Sequence, residues 1–161
     1  MPRARNGTAP ISAYTTIVVS STPPYVVVDA SIAAKWLLTE DGSNEARTLL
    51  RAWLASAMQP IAPDLFGTEV ANIMHQQVRR GVVTRPDARE LLRRVLAVVA
   101  LVPMPASDIL RAFDIAGLTG QQTPYDAQYL ALAERVGCDY WTADARFVRG
   151  AQAVFPQVKA L

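Results

Sequence analysis

The chain has 161 residues, 51% hydrophobic and 19% charged, which is one globular domain's worth and excludes a disordered polymer. One cysteine (Cys138) excludes an internal disulfide and a cysteine zinc cluster, and one histidine (His75) excludes a histidine-rich metal site, so a resident metal would be one that takes oxygen ligands, Mg2+ or Mn2+. The net charge of +2 is too small to imply nucleic-acid binding, but 14 of the 16 basic residues are arginine, whose fork grips phosphate at two points.

Met1–Pro24 is rich in Ser, Thr, Pro and Ala and carries Arg3 and Arg5. It has no signal-peptide h-region and reads as a flexible extension closed by Pro23–Pro24, with the domain expected over 25–161. Tyr25–Val28 is a β-branched strand that stops at a carboxylate, Asp29, and a helix pattern follows over Ile32–Thr39. Asp41–Asn44 is a turn. Asn44–Met58 is a helix with Ala46, Leu49, Leu50, Trp53, Leu54 and Ala57 on one face. Gln59–Pro63 is a second extended piece, and Asp64 can cap the next helix, Leu65–Arg80, which Gly81 stops. His75 lies in this helix and is expected to be a packed or surface residue.

Thr84–Asp87 resembles a capping box and opens a helix to about Ala100, with Arg85, Arg89 and Arg93 as a stripe at four-residue spacing. Leu101–Met104 can be a third strand, Ala106–Leu118 a helix, and Thr123–Val136 another, with Thr123, Pro124 and Asp126 fitting a capping box. Cys138–Thr142 is a short strand followed by Asp144. Ala153–Val158 is a weak last strand, broken by Pro156 and so placed at an edge. Strands alternating with helices indicate an α/β fold whose parallel sheet is covered on both faces. No apolar run reaches the ~18 residues of a membrane span. With cysteine usage, this gives the expectation of a cytoplasmic protein without a membrane.

Four carboxylates stand out: Asp29, Glu69, Asp126 and Asp144. Each has an ordinary reading as cap, turn or packed residue. Strand-end and helix-start acids of a parallel sheet gather at one edge, however, which unites Asp29, Asp126 and Asp144. Glu69 has Leu65 and Ile73 as helix neighbours, and burying it unpaired would be costly. Two carboxylates ~4 Å apart repel by roughly 4 kcal/mol at an effective dielectric near 20, so such a cluster raises pKa values or recruits hard cations.

VVVDASIAAKWLL, APDLFGTEVANIM, TPYDAQYLALAERVGCDYWTAD and the closing VKAL, in this order and spacing, resemble the PIN-domain family, specifically the toxin ribonucleases of VapBC toxin–antitoxin pairs. The resemblance spans about Tyr25 to Val158. It implies a three-layer α/β/α sandwich with a central, mainly parallel sheet, and an endoribonuclease dependent on Mg2+ or Mn2+. The family's acidic quartet falls on Asp29, Glu69, Asp126 and Asp144, with Asp29, Asp126 and Asp144 as metal ligands. Its small hydroxyl residues match Ser31 and Thr142, and its polar residue after the glutamate matches Asn72. The implied partners are an RNA substrate, a cognate antitoxin and a second copy in a homodimer.

Arg85, Arg89 and Arg93 can then contact RNA phosphates. Leu37, Leu38, Leu49 and Trp53 can either line an antitoxin groove or pack as core. Capping of the first helix is assigned to Ser31, which leaves the Asp29 carboxylate free for a metal. Two other readings stay open. One is a non-catalytic RNA-binding or assembly module on the same fold. The other is a phosphohydrolase with Asp29 as nucleophile, a class that wants an acid two residues on, where this chain has Ser31.

Overall fold

Three β-branched residues in a row, Val26–Val28, have no polar face, so their strand must be covered on both sides. In the computed structural model, which describes residues 25–161, β1 (Tyr25–Val28) is the middle of a five-stranded sheet. The others are β2 (Gln59–Pro63), β3 (Ala100–Val102), β4 (Tyr140–Thr142) and β5 (Val158–Ala160). The order is β3-β2-β1-β4-β5 and every pair is parallel. The extension expected over Met1–Pro24 lies outside the described residues.

The helices are α1 (Ala30–Leu37), α2 (Ser43–Ala55), α3 (Leu65–Arg79), α4 (Arg85–Val98), α5 (Ala106–Leu118), α6 (Tyr125–Val136) and α7 (Ala145–Ala151). Helices α1 to α4 belong to connections that step from β1 toward β3. The later helices belong to connections that step the other way. Right-handed crossovers therefore put the two sets on opposite faces, which is the expected three-layer sandwich. The packing agrees: α1 meets α2 and α3, α3 meets α4, and α5 pairs with α6. The core lies on both sides of the sheet, with Val26, Val27, Ile32, Ile61, Phe66, Leu130, Leu132 and Phe147 fully buried. Trp53 belongs to it, and Leu37, Leu38 and Leu49 pack against it.

Several local expectations need correction. Asp64 occupies the N-cap place of α3 but in helical conformation (φ −54°, ψ −31°), and its side chain makes no cap bond. Caps use extended backbone, from which the side chain can reach back. Thr123 does not cap α6, which begins two residues later with Pro124 at its N-cap place and no side-chain cap. Thr84 does cap α4, accepting from the Asp87 N–H at 3.3 Å and donating to Asp87 Oδ2 at 2.6 Å. The third strand starts at Ala100 and ends before Pro103, which has no N–H for the ladder. For the same reason β5 forms after Pro156 rather than across it. Helix α7 had no visible periodicity in seven residues. It seats tightly because Gly150 passes so close to the end of α5 that a Cβ there would meet the Thr119 carbonyl oxygen at 2.7 Å.

Candidate active site

The connections leave β1 and its neighbour β4 in opposite directions, which opens a crevice at the carboxyl ends of these two strands. Asp29 ends β1 there and is buried. Its Oδ1 accepts the Ser31 N–H at 3.0 Å, the Ile32 N–H at 3.1 Å and the Ser31 hydroxyl at 2.5 Å. Its Oδ2 accepts the Tyr140 hydroxyl at 3.1 Å. The expected assignment of the cap to Ser31 is thus wrong. Asp29 sits in extended backbone (φ −97°, ψ 177°), the geometry of a cap, and spends one oxygen on α1. Burial pushes its carboxyl up, against the pull of these hydrogen bonds.

Ser31 does something else. Its hydroxyl accepts the Ala143 N–H at 2.9 Å and lies 3.5 Å from the Thr142 hydroxyl. Thr142 in turn accepts the Asp144 N–H at 2.9 Å. A chain of hydroxyls thus ties the end of β1 to the end of β4. Asp144 caps α7, its Oδ1 accepting the N–H groups of Arg146 (2.8 Å) and Phe147 (3.1 Å).

Glu69 reaches in from α3, half-buried. Its Oε2 accepts the Tyr129 hydroxyl at 2.5 Å. Burial pushes its carboxyl up to about 7, opposed by the Tyr129 bond and helped by repulsion from Asp126 and Asp29. Asp126, in the first turn of α6, is raised by burial and then by Asp29 and Asp144, and no cap bond ties it down.

Asp29, Ser31, Glu69, Asn72, Asp126 and Asp144, with Ala30 and Ile73, line one cleft of about 260 Å3. Every acid named from the sequence is in it. Thr142 stands behind it through Ser31. The volume has room for a phosphate group. A larger hollow of about 740 Å3 lies at the opposite, amino end of the strands, beside Tyr25, Trp53 and Trp141. That hollow holds no comparable gathering of acids.

The donor set is four carboxylates on hard oxygen, which fits Mg2+ or Mn2+. Among the described residues, no three His, Cys, Asp or Glu side chains form a ready-made metal cage.

The arginine stripe is elsewhere. Arg85 and Arg89 line a groove of about 450 Å3 between α3 and α4, with Met74 and an exposed His75. Helix α3 stands between that groove and the cleft: Glu69, Asn72 and Ile73 face the acids, while Ala71, Met74 and Val78 face the groove. Arg93 grips Glu90 with two bonds of 2.8 and 2.9 Å, and Arg94 shares the same carboxylate. Sequence reasoning missed Tyr129 and Tyr140. Their only signal was spacing: Tyr129 lies one helical turn after Asp126, and Tyr140 lies two residues before Thr142 on the same strand face.

The family model described as PIN domain matches residues 26–152. Among curated relatives, Ribonuclease VapC3 of Pyrobaculum aerophilum is 31% identical over 120 residues, covering 74% of this chain and 88% of the relative. Ribonuclease VapC9 of Mycobacterium tuberculosis is 31% identical over 134 residues, covering 81% of this chain and 94% of the relative. A chain in the solved structure of a toxin–antitoxin complex from Klebsiella pneumoniae shares the fold, with a TM-score of 0.59 at 16% identity over 83% of this chain and 95% of that one.

Proposed function

The chain belongs to the PIN-domain family, and from that premise we propose that it is an RNA-cleaving hydrolase that uses Mg2+ or Mn2+, the toxin of a toxin–antitoxin pair. One observation carries the reading: four carboxylates from four separate elements line a single phosphate-sized cleft at the point where the sheet's connections reverse. The curated relatives named as ribonucleases support the reaction class. The likeness to a chain of a toxin–antitoxin complex supports an antitoxin partner.

Asp29, Asp126 and Asp144 would hold the cation, with Glu69 completing the set. The chemistry such a cation supplies when bound is Lewis acidity toward a phosphodiester. The rest falls to the chain. Asp29 has one oxygen held by its cap, and its second oxygen accepts the Tyr140 hydroxyl. Asp126, untied, can turn to meet a ligand. Glu69 keeps Oε2 on Tyr129, which leaves Oε1 to complete the set around the cation. Ser31 and Thr142 keep the two strand ends at a constant separation.

No helix among the described residues is long and apolar enough to cross a membrane. A homodimer is supported by the outer face of α5, where Leu110 and Phe113 are 67% and 71% exposed. The decisive experiment incubates purified protein with total cellular RNA and Mg2+, beside an Asp29→Asn control. Cleavage by the native chain alone is expected. Intact RNA in both tubes would leave a non-cleaving RNA-binding module as the better reading.

A further inference from the structure

Two tyrosines stand behind the acids. Tyr129 comes from α6, the helix that carries Asp126, and Tyr140 opens β4, the strand that leads to Asp144. Both are fully buried. Their rings stack, with centroids 5.8 Å apart and planes inclined by 10°. Phe147 closes the stack edge-on, 5.5 Å from Tyr140. From this common base the two hydroxyls part company: Tyr129 donates to Glu69 Oε2 at 2.5 Å, and Tyr140 to Asp29 Oδ2 at 3.1 Å.

A tyrosine buried only to fill space finds any acceptor for its hydroxyl, and a phenylalanine fills the same space without desolvating an O–H. Here both hydroxyls end on acids of the cleft. Asp29 Oδ1 is already taken by three donors. The orientation of its other oxygen is therefore the only freedom left to that carboxylate, and Tyr140 takes it. Because the rings are stacked, the hydroxyls are held at a fixed separation, and so are the two acids.

We propose that Tyr129 and Tyr140 are positioning residues: the stacked pair orients Glu69 and Asp29 together and so sets how the four carboxylates receive a divalent cation. This rests on the metal-site reading given above, and the test separates the two. Mn2+ is titrated calorimetrically into the metal-free full chain and into Tyr129→Phe and Tyr140→Phe, and RNA cleavage is followed in parallel. Each Phe variant should keep the stack and the fold but lose about ten-fold or more in Mn2+ affinity, the cost typical of removing a partner that orients a ligand. The kcat for RNA should fall while KM holds.

In a Glu69→Gln background, Tyr129→Phe should cost no further Mn2+ affinity, because its effect passes through that acid. A general loss of stability, as from Ile115→Val in the core of α5, should leave Mn2+ affinity unchanged. If the native chain binds no Mn2+, the metal-site reading fails. If it binds Mn2+ and both Phe variants bind equally well or better, this inference fails and the reading stands. Should Tyr129→Phe not fold, Tyr140→Phe carries the test on its own acid. If neither folds, the pair is structural and the inference is overturned.

Discussion

The Ser31 hydroxyl joins Asp29 to Ala143: it donates to Asp29 Oδ1 at 2.5 Å and accepts the Ala143 N–H at 2.9 Å. One oxygen atom thus fixes the separation of the two strand ends that carry Asp29 and Asp144.

Ser31→Ala removes that oxygen. The Ala143 N–H loses its partner, and Asp29 Oδ1 keeps only its backbone donors. The expected loss of stability is about 1–2 kcal/mol by urea denaturation. RNA cleavage should fall further than this implies, by about ten-fold or more, since an acid losing an orienting partner typically costs that much. Activity that tracks only the folded fraction would show that Ser31 is a stabilising residue with no part in the site.

Asp126 should behave in the opposite sense for stability. It carries no cap bond and is pushed up by burial and by repulsion from Asp29 and Asp144. Asp126→Asn removes that repulsion, so the metal-free protein should gain roughly 1 kcal/mol, or about 2–4 °C in Tm for a chain of this size. Mn2+ affinity measured by calorimetry should drop sharply in the same variant. Unchanged affinity would take Asp126 out of the ligand set.

These two residues also mark what the sequence could and could not tell. Asp29, Asp126 and Asp144 were legible because in a parallel sheet strand ends and helix starts fall on one edge, and that follows from element order alone; Glu69, inside α3, joined them only through the family resemblance. How Asp29 divides its oxygens was not, because Asp and Ser cap equally well and only backbone conformation decides between them. Tyr129 and Tyr140 were invisible for a different reason. A pattern search counts tyrosine as core, and their acceptors lie 60 and 111 residues away in the chain. Arg85, Arg89 and Arg93 do lie exposed on one helix, as their spacing indicates. That α3 stands between them and the acids depends on packing, which spacing along α4 does not encode.

Contact of Arg85 and Arg89 with RNA is expected at the groove between α3 and α4 rather than in the cleft. Arg89 lines the groove and makes no ion pair among the described residues, while Arg93 spends its fork on Glu90. In an Asp29→Asn background, where RNA stays intact, Arg89→Ala should weaken binding and lower the slope of log K against log salt by about 0.7 for single-stranded RNA. Arg93→Ala should change the slope less. Equal slopes with and without Arg89→Ala in the Asp29→Asn background would remove this helix from the RNA contact.

Glu69 makes the metal-free protein sensitive to pH in a direction that can be worked out. Its carboxyl is raised from 4.5 to about 7, so between those values the folded chain holds a proton that the unfolded chain has released. Stability therefore falls as pH rises through this window and is flat, for this group, on either side. Asp29 and Asp126 are raised as well and act with the same sign from lower starting points. Glu90, held down to about 2 by Arg93 and Arg94, has the opposite sign but acts below the window. Allowing for solvent screening of a half-buried group, Glu69 should make the protein roughly 1–2 kcal/mol less stable at pH 7.5 than at pH 5. Urea denaturation at the two values checks this. Glu69→Gln has no proton to release and should flatten the difference. Mn2+ added at pH 7.5 should restore stability to the native chain, because binding to the folded state alone favours it. A native chain that is equally stable at both pH values without metal would show that burial does not raise the Glu69 carboxyl in the folded state.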